Sequence, residues 1–374
     1  MSGSSEPAGS ILTRHGWVAG SVRIAQGRIA AIDGKPLAHG ATPVPPYIVP
    51  GFIDLHVHGG NGAESMEGES QLRKMQRYHA SHGTVATAPS TVTAPLEKIE
   101  SALADIAAVT GKRGPGEAAS LGAHTEGPFI NPNRLGAQGP FTRAGDGALA
   151  LAWAQRFPII IATVAPEIPG GLDVIRTLAA HRCRVQVGHS LAKPDQVGVA
   201  FACGCMGFTH LFNAMSGVSH RDPGVATWAL AHGEYAEIIA DLNHIHPEAI
   251  LLARRAIPKL YTVTDACVAA GMPDGEYHLG ELKVIKRGLL VTLEDKVTLA
   301  SSVITLDDAL RNLVAIGVPL AEAVAMASTR PAEYLGLADL GVIKPGARAS
   351  LVELDDQLKV QSVWIEGEAI DVAA

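Results

Sequence analysis

Short apolar runs alternate with segments of helical periodicity through the middle of the chain. Eight runs have the length of buried β-strands, and most are followed by a candidate helix such as Leu96–Val109. This alternation is typical of repeated βα units, and eight such units predict a TIM barrel spanning residues 49–340. An open, doubly wound sheet is the alternative, but no Gly-x-Gly-x-x-Gly motif follows the first strand. The eight predicted strands are Ile48–His58, Thr84–Thr91, Ser120–Glu126, Ile159–Glu167, Arg184–Ser190, Gly207–Asn213, Glu237–Leu242 and Leu260–Asp265.

Both ends of the chain have a different pattern from the middle. Segments such as Arg28–Ile32 and Val360–Ile365 are rich in β-forming residues and lie beside turn residues. Neither end is long enough to bury a core alone. We therefore expect a small β-sandwich domain built from residues 1–48 and 341–374 together.

Side chains of metal-binding type end five of the predicted strands. Alternate residues of a strand point to the same side, so His56 and His58 can reach one ion together. Each of these residues could also have a structural role; Asp265, for example, could cap a helix. Their shared position at strand ends instead favours a metal site at the C-terminal end of the barrel, where barrel enzymes have their active sites. His124 suits the core and is left out of the site. The set is His56, His58, Glu126, His189, His210 and Asp265.

Composition and charge narrow the class of protein. The 374 residues are 47% hydrophobic and 18% charged, with a net charge of −7 that disfavours nucleic acid or anionic membrane as partners. The four cysteines form neither a disulfide framework nor a zinc knuckle. No apolar run spans a bilayer, and Met1–Ser10 lacks the pattern of a signal peptide. We expect a cytoplasmic protein that acts on a small molecule.

Several motifs carry a family resemblance that covers nearly the whole chain. Pro50–Gly59 resembles the first-strand signature of the amidohydrolase superfamily. A narrower resemblance, to the N-acetylglucosamine-6-phosphate deacetylases of that superfamily, rests on several motifs that occur in the family's order. These are His124–Phe129, Val187–Ser190, Thr209–Met215 and Val263–Ala266, and the segments Arg221–Gly224 and Asp241–His244 fall where the family has substrate contacts.

The resemblance implies two divalent metal ions per chain. Glu126, His189 and His210 resemble the ligands of the main metal, which match a common catalytic zinc set. His56 and His58 resemble the ligands of a second metal, with Glu126 as the bridge and Asp265 also within the ligand set. Zinc is the first expectation, and iron, manganese, cobalt or cadmium suit the same ligands.

The implied reaction is hydrolysis of N-acetylglucosamine 6-phosphate to glucosamine 6-phosphate and acetate, in amino-sugar catabolism and cell-wall recycling. Water activated by the metal attacks the amide carbonyl. Asp265 takes a proton as general base and returns it to the leaving amine as general acid.

The resemblance also implies the contacts to a sugar phosphate. Arg221 and His244 resemble the phosphate-binding residues, and in the family the arginine is contributed across the interface of a homodimer. Two segments depart from the family pattern, with Gln138 in place of histidine and Ser301 in place of glycine. The expected substrate contacts are Ala137, Gln138, Asn213, Ala214, Arg221, His244, Leu299, Ala300 and Ser301.

Two other functions stay open at this stage. One is a different amidohydrolase reaction, by a cyclic amidase or a deaminase, which would not need Arg221 and His244 for a phosphate. The other is a barrel without catalysis that serves as a scaffold, which the intact set of ligands and the general base Asp265 disfavour.

Overall fold

A closed barrel of eight parallel strands forms the centre of the computed structural model, which describes residues 6–38 and 40–372. The first six strands form one sheet, and the last two pair with each other. Hydrogen bonds from Leu211 N to Glu237 O and from Asp265 N to His56 O, both 2.9 Å, join the two parts on either side. The predicted TIM barrel is confirmed. Its strands are Phe52–Val57, Thr84–Thr91, Ala123–Glu126, Ile159–Val164, Arg184–Val187, Cys205–Phe208, Tyr235–Ile239 and Lys259–Val263.

Helices cover the outside of the barrel and bury their apolar faces against it. Asp146 precedes one of them, Gly147–Arg156, and its carboxylate caps the helix by accepting hydrogen bonds from Ala148 N and Leu149 N at 3.0 Å. No helix among the described residues is both long and apolar enough to cross a membrane. The helices are Glu69–Ser81, Leu96–Val109, Gly147–Arg156, Gly171–Ala180, Pro194–Ala202, Val225–His232, Pro247–Ala256, Leu306–Ala315, Leu320–Val324 and Arg330–Leu335, with a π-helical turn at Ala325–Thr329.

Strands from both chain ends share one seven-stranded sheet. Tyr47–Pro50 joins the two ends, since it pairs in parallel with Ala8–Thr13 and antiparallel with Leu351–Leu354. A separate apolar cluster that includes Ile11 and Trp364 packs on this sheet. The remaining strands are Gly16–Ala25, Arg28–Pro36, Val360–Ile365 and Glu368–Ile370.

The sequence led us to expect that the two ends would combine in this way. Their strands form a single hydrogen-bonded sheet, while the sandwich arrangement and the domain bounds at 1–48 and 341–374 stay predictions. Residues 1–5, 39, 373 and 374 lie outside the described residues. The structure therefore does not test the domain prediction or the signal-peptide argument at those positions.

A three-stranded antiparallel sheet follows the last barrel strand and was not predicted. Its strands are Gly275–Leu279, Leu282–Arg287 and Leu290–Leu293. This inserted sheet and the loop after it contribute Leu279 and Thr298 to the lining of a cavity at the C-terminal end of the barrel. Short strands at Gly59–Gly60, Ala63–Glu64 and Ala119–Ser120 complete the described elements.

Candidate metal centre and substrate pocket

The six predicted ligand side chains converge at the C-terminal end of the barrel. All six are buried, and Asp265 is the most accessible at 8% exposure. Two groups drawn entirely from these six residues each place three ligand atoms close enough to share an ion. One group is Glu126, His189 and His210, and the other is His56, His58 and Asp265.

Glu126 faces both groups, with a different oxygen toward each. Its Oε1 lies 2.9 Å from His189 Nε2 and 2.8 Å from His210 Nε2, and these two nitrogens are 3.1 Å apart. Its Oε2 lies 3.2 Å from His58 Nε2 and 3.5 Å from His56 Nε2. The carboxylate therefore stands between two histidine pairs, in the position of a bridge.

Asp265 completes the second group. Its Oδ1 lies 3.2 Å from His58 Nε2 and 3.6 Å from His56 Nε2, and the two histidine nitrogens are 3.1 Å apart. Ligands bound about 2.0–2.2 Å from one ion are roughly 2.8–3.6 Å from each other. The observed separations fall in this range, so both groups have the geometry of a cation site.

Hydrogen bonds on the far side of the histidine rings support the same conclusion. His56 Nδ1 donates to Glu237 Oε2 at 3.0 Å, and His189 Nδ1 donates to the carbonyl oxygen of Arg134 at 2.7 Å. A proton on Nδ1 leaves the lone pair of Nε2 free to bind a metal. Neither His58 Nδ1 nor His210 Nδ1 has a partner among the described residues, whereas the Nε2 atom of each ring faces Glu126.

The electrostatics of the cluster favour an added positive charge. Burial alone would lower the pKa of His58, but hydrogen bonds to Asp265 and Glu126 raise it to about 9. Burial alone would raise the pKa of Glu126, but the charge of His56 and the bonds from His189 hold it well below its usual range. The negative carboxylates thus favour positive charge in this buried site. Protonated histidines can supply that charge, and so can a divalent cation bound to neutral histidines. The residues present fit a metal.

Backbone strain is concentrated at the same place. His189, His210 and Asp265 all have positive φ values, at 47°, 27° and 50°. Residues other than glycine rarely adopt this region, and such strain clusters at functional sites. The turn at the end of each strand therefore aims a ligand inward at a conformational cost.

Two buried carboxylates that hold the ligands were missed from the sequence. Glu237 is fully buried, accepts from His56 Nδ1 and also accepts the backbone N–H of His210 at 3.2 Å. Asp54 accepts the hydroxyl of Thr264 at 2.6 Å, and burial raises its pKa to about 7. The sequence signal for each was a single carboxylate within a predicted buried strand. A buried carboxylate needs a hydrogen-bonding partner, so its presence there indicates a specific contact.

His124 lies beside the cluster but has a different environment. Its Nδ1 lies 3.1 Å from the carbonyl oxygen of Leu55, and its Nε2 lies 2.9 Å from the hydroxyl of Thr163. Burial lowers its pKa to about 3, so the ring is neutral. With both nitrogens engaged, His124 supports the barrel interior, as its exclusion from the predicted site implies.

A cavity of about 210 Å³ opens over the ligands. Four of the six candidate ligands line it, namely Glu126, His189, His210 and Asp265. Gly136, Leu279 and Thr298 also line it and were not predicted. Seven of the nine predicted substrate contacts line the same cavity, namely Ala137, Gln138, Asn213, Ala214, His244, Leu299 and Ser301.

The other two predicted contacts lie elsewhere. Ala300 is fully buried and contributes no side chain to the cavity lining. Arg221 is exposed on the loop before the helix Val225–His232, and it makes no hydrogen bond or ion pair with the described residues. A single chain therefore does not bring Arg221 to the cavity.

Comparison with known proteins places this site in a family. The model of the amidohydrolase family matches residues 47–370. The chain is 40% identical to the N-acetylgalactosamine-6-phosphate deacetylase of Escherichia coli O157:H7, covering 96% of this chain and 97% of the relative. It is 38% identical to the N-acetylglucosamine-6-phosphate deacetylase of Vibrio furnissii, covering 93% and 90% of the two chains.

A solved structure shows the same fold over nearly the whole length. The structure of a mutant N-acetyl-D-glucosamine-6-phosphate deacetylase from Mycobacterium smegmatis, in complex with N-acetyl-D-glucosamine-6-phosphate, aligns with a TM-score of 0.89. That alignment has 30% sequence identity and covers 98% of both chains. These three comparisons indicate the same family. The chain belongs to the amidohydrolase family, together with the deacetylases of N-acetylated amino-sugar 6-phosphates.

Proposed function

We propose that the protein is a metal-dependent hydrolase that removes the acetyl group from N-acetylglucosamine 6-phosphate. The products are glucosamine 6-phosphate and acetate. The observation that carries the proposal is the convergence of two ligand groups, joined by Glu126, at one cavity that Glu126, His189, His210 and Asp265 line. The relatives named deacetylases of N-acetylated amino-sugar 6-phosphates support the substrate class.

The buried carboxylate of Asp265 is suited to proton transfer during amide hydrolysis. A divalent cation held in the centre would lower the pKa of a water molecule and polarise a carbonyl group. Burial tends to raise the pKa of Asp265, but the charge of His56 and the bond from His58 lower it below its ordinary value. The carboxylate is therefore ionised at neutral pH and able to accept a proton. The same group can then protonate the amine, which leaves poorly without a proton.

The ligand set supports two cations per chain. Glu126 offers one oxygen to each histidine pair, and Asp265 stands with the second pair. Mixed nitrogen and oxygen ligands suit zinc first, and iron, manganese, cobalt or cadmium can occupy the same donors.

His244 provides a cationic group for the phosphate inside the cavity. Its Nδ1 donates to Asp241 Oδ2 at 2.7 Å, which leaves Nε2–H as a possible donor to a ligand. Burial alone would lower the pKa of His244, but the bond to Asp241 raises it above the ordinary value. Arg221 would complete the phosphate site from a second copy of the chain, in a homodimer.

Removal of Asp241 should change the pH dependence of binding. The bond to Asp241 raises the pKa of His244, so its positive charge persists to a higher pH than that of a free imidazole and is lost as pH rises through that pKa. Asp241→Asn lowers the pKa, so KM for the sugar phosphate should begin to rise at a lower pH than in the wild type. The measurement is KM against pH from neutral to alkaline conditions. An unchanged profile would remove His244 from the phosphate site, and the unphosphorylated sugar serves as control.

Arg221→Ala should weaken binding of the phosphorylated sugar specifically. Loss of a charge-assisted bond to phosphate should raise KM about 10- to 100-fold. KM for the bare sugar should stay near the wild-type value. Arg255→Ala, another exposed arginine, is the matched control. Equal losses on both sugars would exclude a phosphate contact.

Mixed dimers test whether Arg221 acts across an interface. In a dimer of one Arg221→Ala chain and one Asp265→Asn chain, one site combines an intact Asp265 with the partner's intact arginine. Random pairing makes half of the dimers mixed, so co-expression should restore about a quarter of the wild-type sites. Recovery of no activity would place the arginine in its own chain's site.

Ser301 is the candidate residue for discrimination between N-acetylglucosamine 6-phosphate and its epimer N-acetylgalactosamine 6-phosphate, the substrates named for the two relatives. It lines the cavity with φ at +58°, where glycine is favoured. Ser301→Gly should raise the melting temperature by about 1–4 °C and should change the ratio of kcat/KM for the glucosamine and galactosamine substrates. Ser301→Ala keeps the strain but loses the hydroxyl, and separates the two effects. An unchanged ratio in both variants would assign Ser301 no part in discrimination.

Acetate release tests the proposed function directly. The substrates are N-acetylglucosamine 6-phosphate, its galactosamine epimer and both sugars without phosphate. We expect rapid release from N-acetylglucosamine 6-phosphate and much slower release from the bare sugars. No acetate from metal-loaded protein would move the search to cyclic amides and to deamination, the alternative reactions of the family.

A further inference from the structure

The carboxamide of Gln138 is fixed at both ends by hydrogen bonds. Its Oε1 accepts the backbone N–H of Thr93 at 2.6 Å, and its Nε2 donates to Glu126 Oε2 at 2.5 Å. A backbone N–H can only donate, so the oxygen of the amide must face Thr93 and the NH₂ group must face the carboxylate. Gln138 is buried at 7% exposure, and this pair of bonds therefore sets its orientation.

The oxygen that Gln138 contacts is the one directed at the second ligand group. Glu126 Oε2 lies 3.2 Å from His58 Nε2, whereas Oε1 lies 2.9 Å from His189 Nε2. Rotation about the terminal bond of Glu126 would take Oε2 away from His58, and a carboxylate is able to bind one ion with both oxygens. The bond from Gln138 opposes that rotation.

The amide also provides its hydrogen bond without adding charge. The site already contains four histidines around two carboxylates, and a cationic side chain at this position would repel a bound cation. The neutral NH₂ group leaves Oε2 with a lone pair for coordination.

We propose that Gln138 is a positioning residue that secures the cation site at His56 and His58 by holding Glu126 in its bridging orientation. This inference rests on the proposed two-cation centre. It gives Gln138 a function besides the substrate contact expected from the sequence, because one of its two N–H groups is committed to Glu126.

The test is calorimetric titration of metal-free protein with Zn²⁺. Gln138→Met keeps an unbranched side chain of similar length but removes both hydrogen bonds. We expect the wild type to bind two equivalents. We expect the variant to bind the first with similar affinity and the second about 10- to 100-fold more weakly, the usual cost of losing a partner of a metal ligand.

Two further variants serve as references. His56→Ala removes a ligand of the second site and should lose the second binding event. Gln76→Leu replaces another buried glutamine, which accepts from the hydroxyl of Thr87 outside the metal centre, and should keep both events. Gln138→Leu gives a second measurement if the methionine variant does not fold.

Each outcome has a distinct meaning. One equivalent bound by the wild type would contradict the two-cation centre and this inference with it. Two equivalents with unchanged affinity in the Gln138 variants would overturn the role of Gln138 alone, as would equal weakening of both events. Acetate release is measured separately, so that failure of the deacetylase function is distinguished from failure of this inference.

Discussion

Asp265→Asn is expected to lower kcat for N-acetylglucosamine 6-phosphate about 10²- to 10⁴-fold, the usual contribution of a general acid–base group. The asparagine keeps the shape of the side chain and an oxygen near His58, but it cannot take up and return a proton. KM should change little, because the cavity walls stay in place. Steady-state acetate release at several substrate concentrations separates kcat from KM.

A control and a metal assay complete the Asp265 experiment. Asp356→Asn changes an exposed aspartate far along the chain from the site and should behave as the wild type. Metal content should be measured on the same samples, since Asp265 Oδ1 lies 3.2 Å from His58 Nε2. Near-normal turnover in Asp265→Asn with full metal content would remove this residue from the mechanism.

Glu126→Gln is expected to have the largest effect on metal content. Among the described residues, Glu126 is the one carboxylate that faces both histidine pairs, so its loss should affect both proposed cation sites. A neutral amide is a weaker ligand and no longer balances the charge of two cations. Metal content should fall from about two ions to less than one per chain, and acetate release should fall with it.

Elemental analysis of the purified variant measures this loss. Glu248→Gln, which changes an exposed glutamate, is the matched control and should keep its metal. Full metal content in Glu126→Gln would show that the histidines hold the cations without the proposed bridge.

The barrel and the convergence of the candidate ligands were predictable because the signals are local. Buried parallel strands are short apolar runs, and their polar C-terminal ends meet at one end of a barrel, so ligands far apart in sequence could be placed together. The seventh strand was predicted to start at Glu237, whereas it starts at Tyr235. The start was misplaced because a buried carboxylate interrupts the apolar run.

The features that were missed have a weak local pattern or depend on contacts distant in sequence. The inserted sheet at Gly275–Leu293 has many exposed or half-buried positions, and its apolar pattern is weak. The bonds of Gln138 require Thr93, which belongs to the loop after the second barrel strand. The expected contact of Arg221 is not made within one chain of the structure, and its contribution from a second chain stays a prediction.

Acetate release by protein stripped of metal and then reloaded tests the central claim most directly. Protein treated with a chelator is given zero, one or two equivalents of Zn²⁺ and then N-acetylglucosamine 6-phosphate. The stripped protein should release almost no acetate, and turnover should return as the cation is added. Full turnover by protein shown to be free of metal, or no turnover after reloading, would contradict a metal-dependent deacetylase.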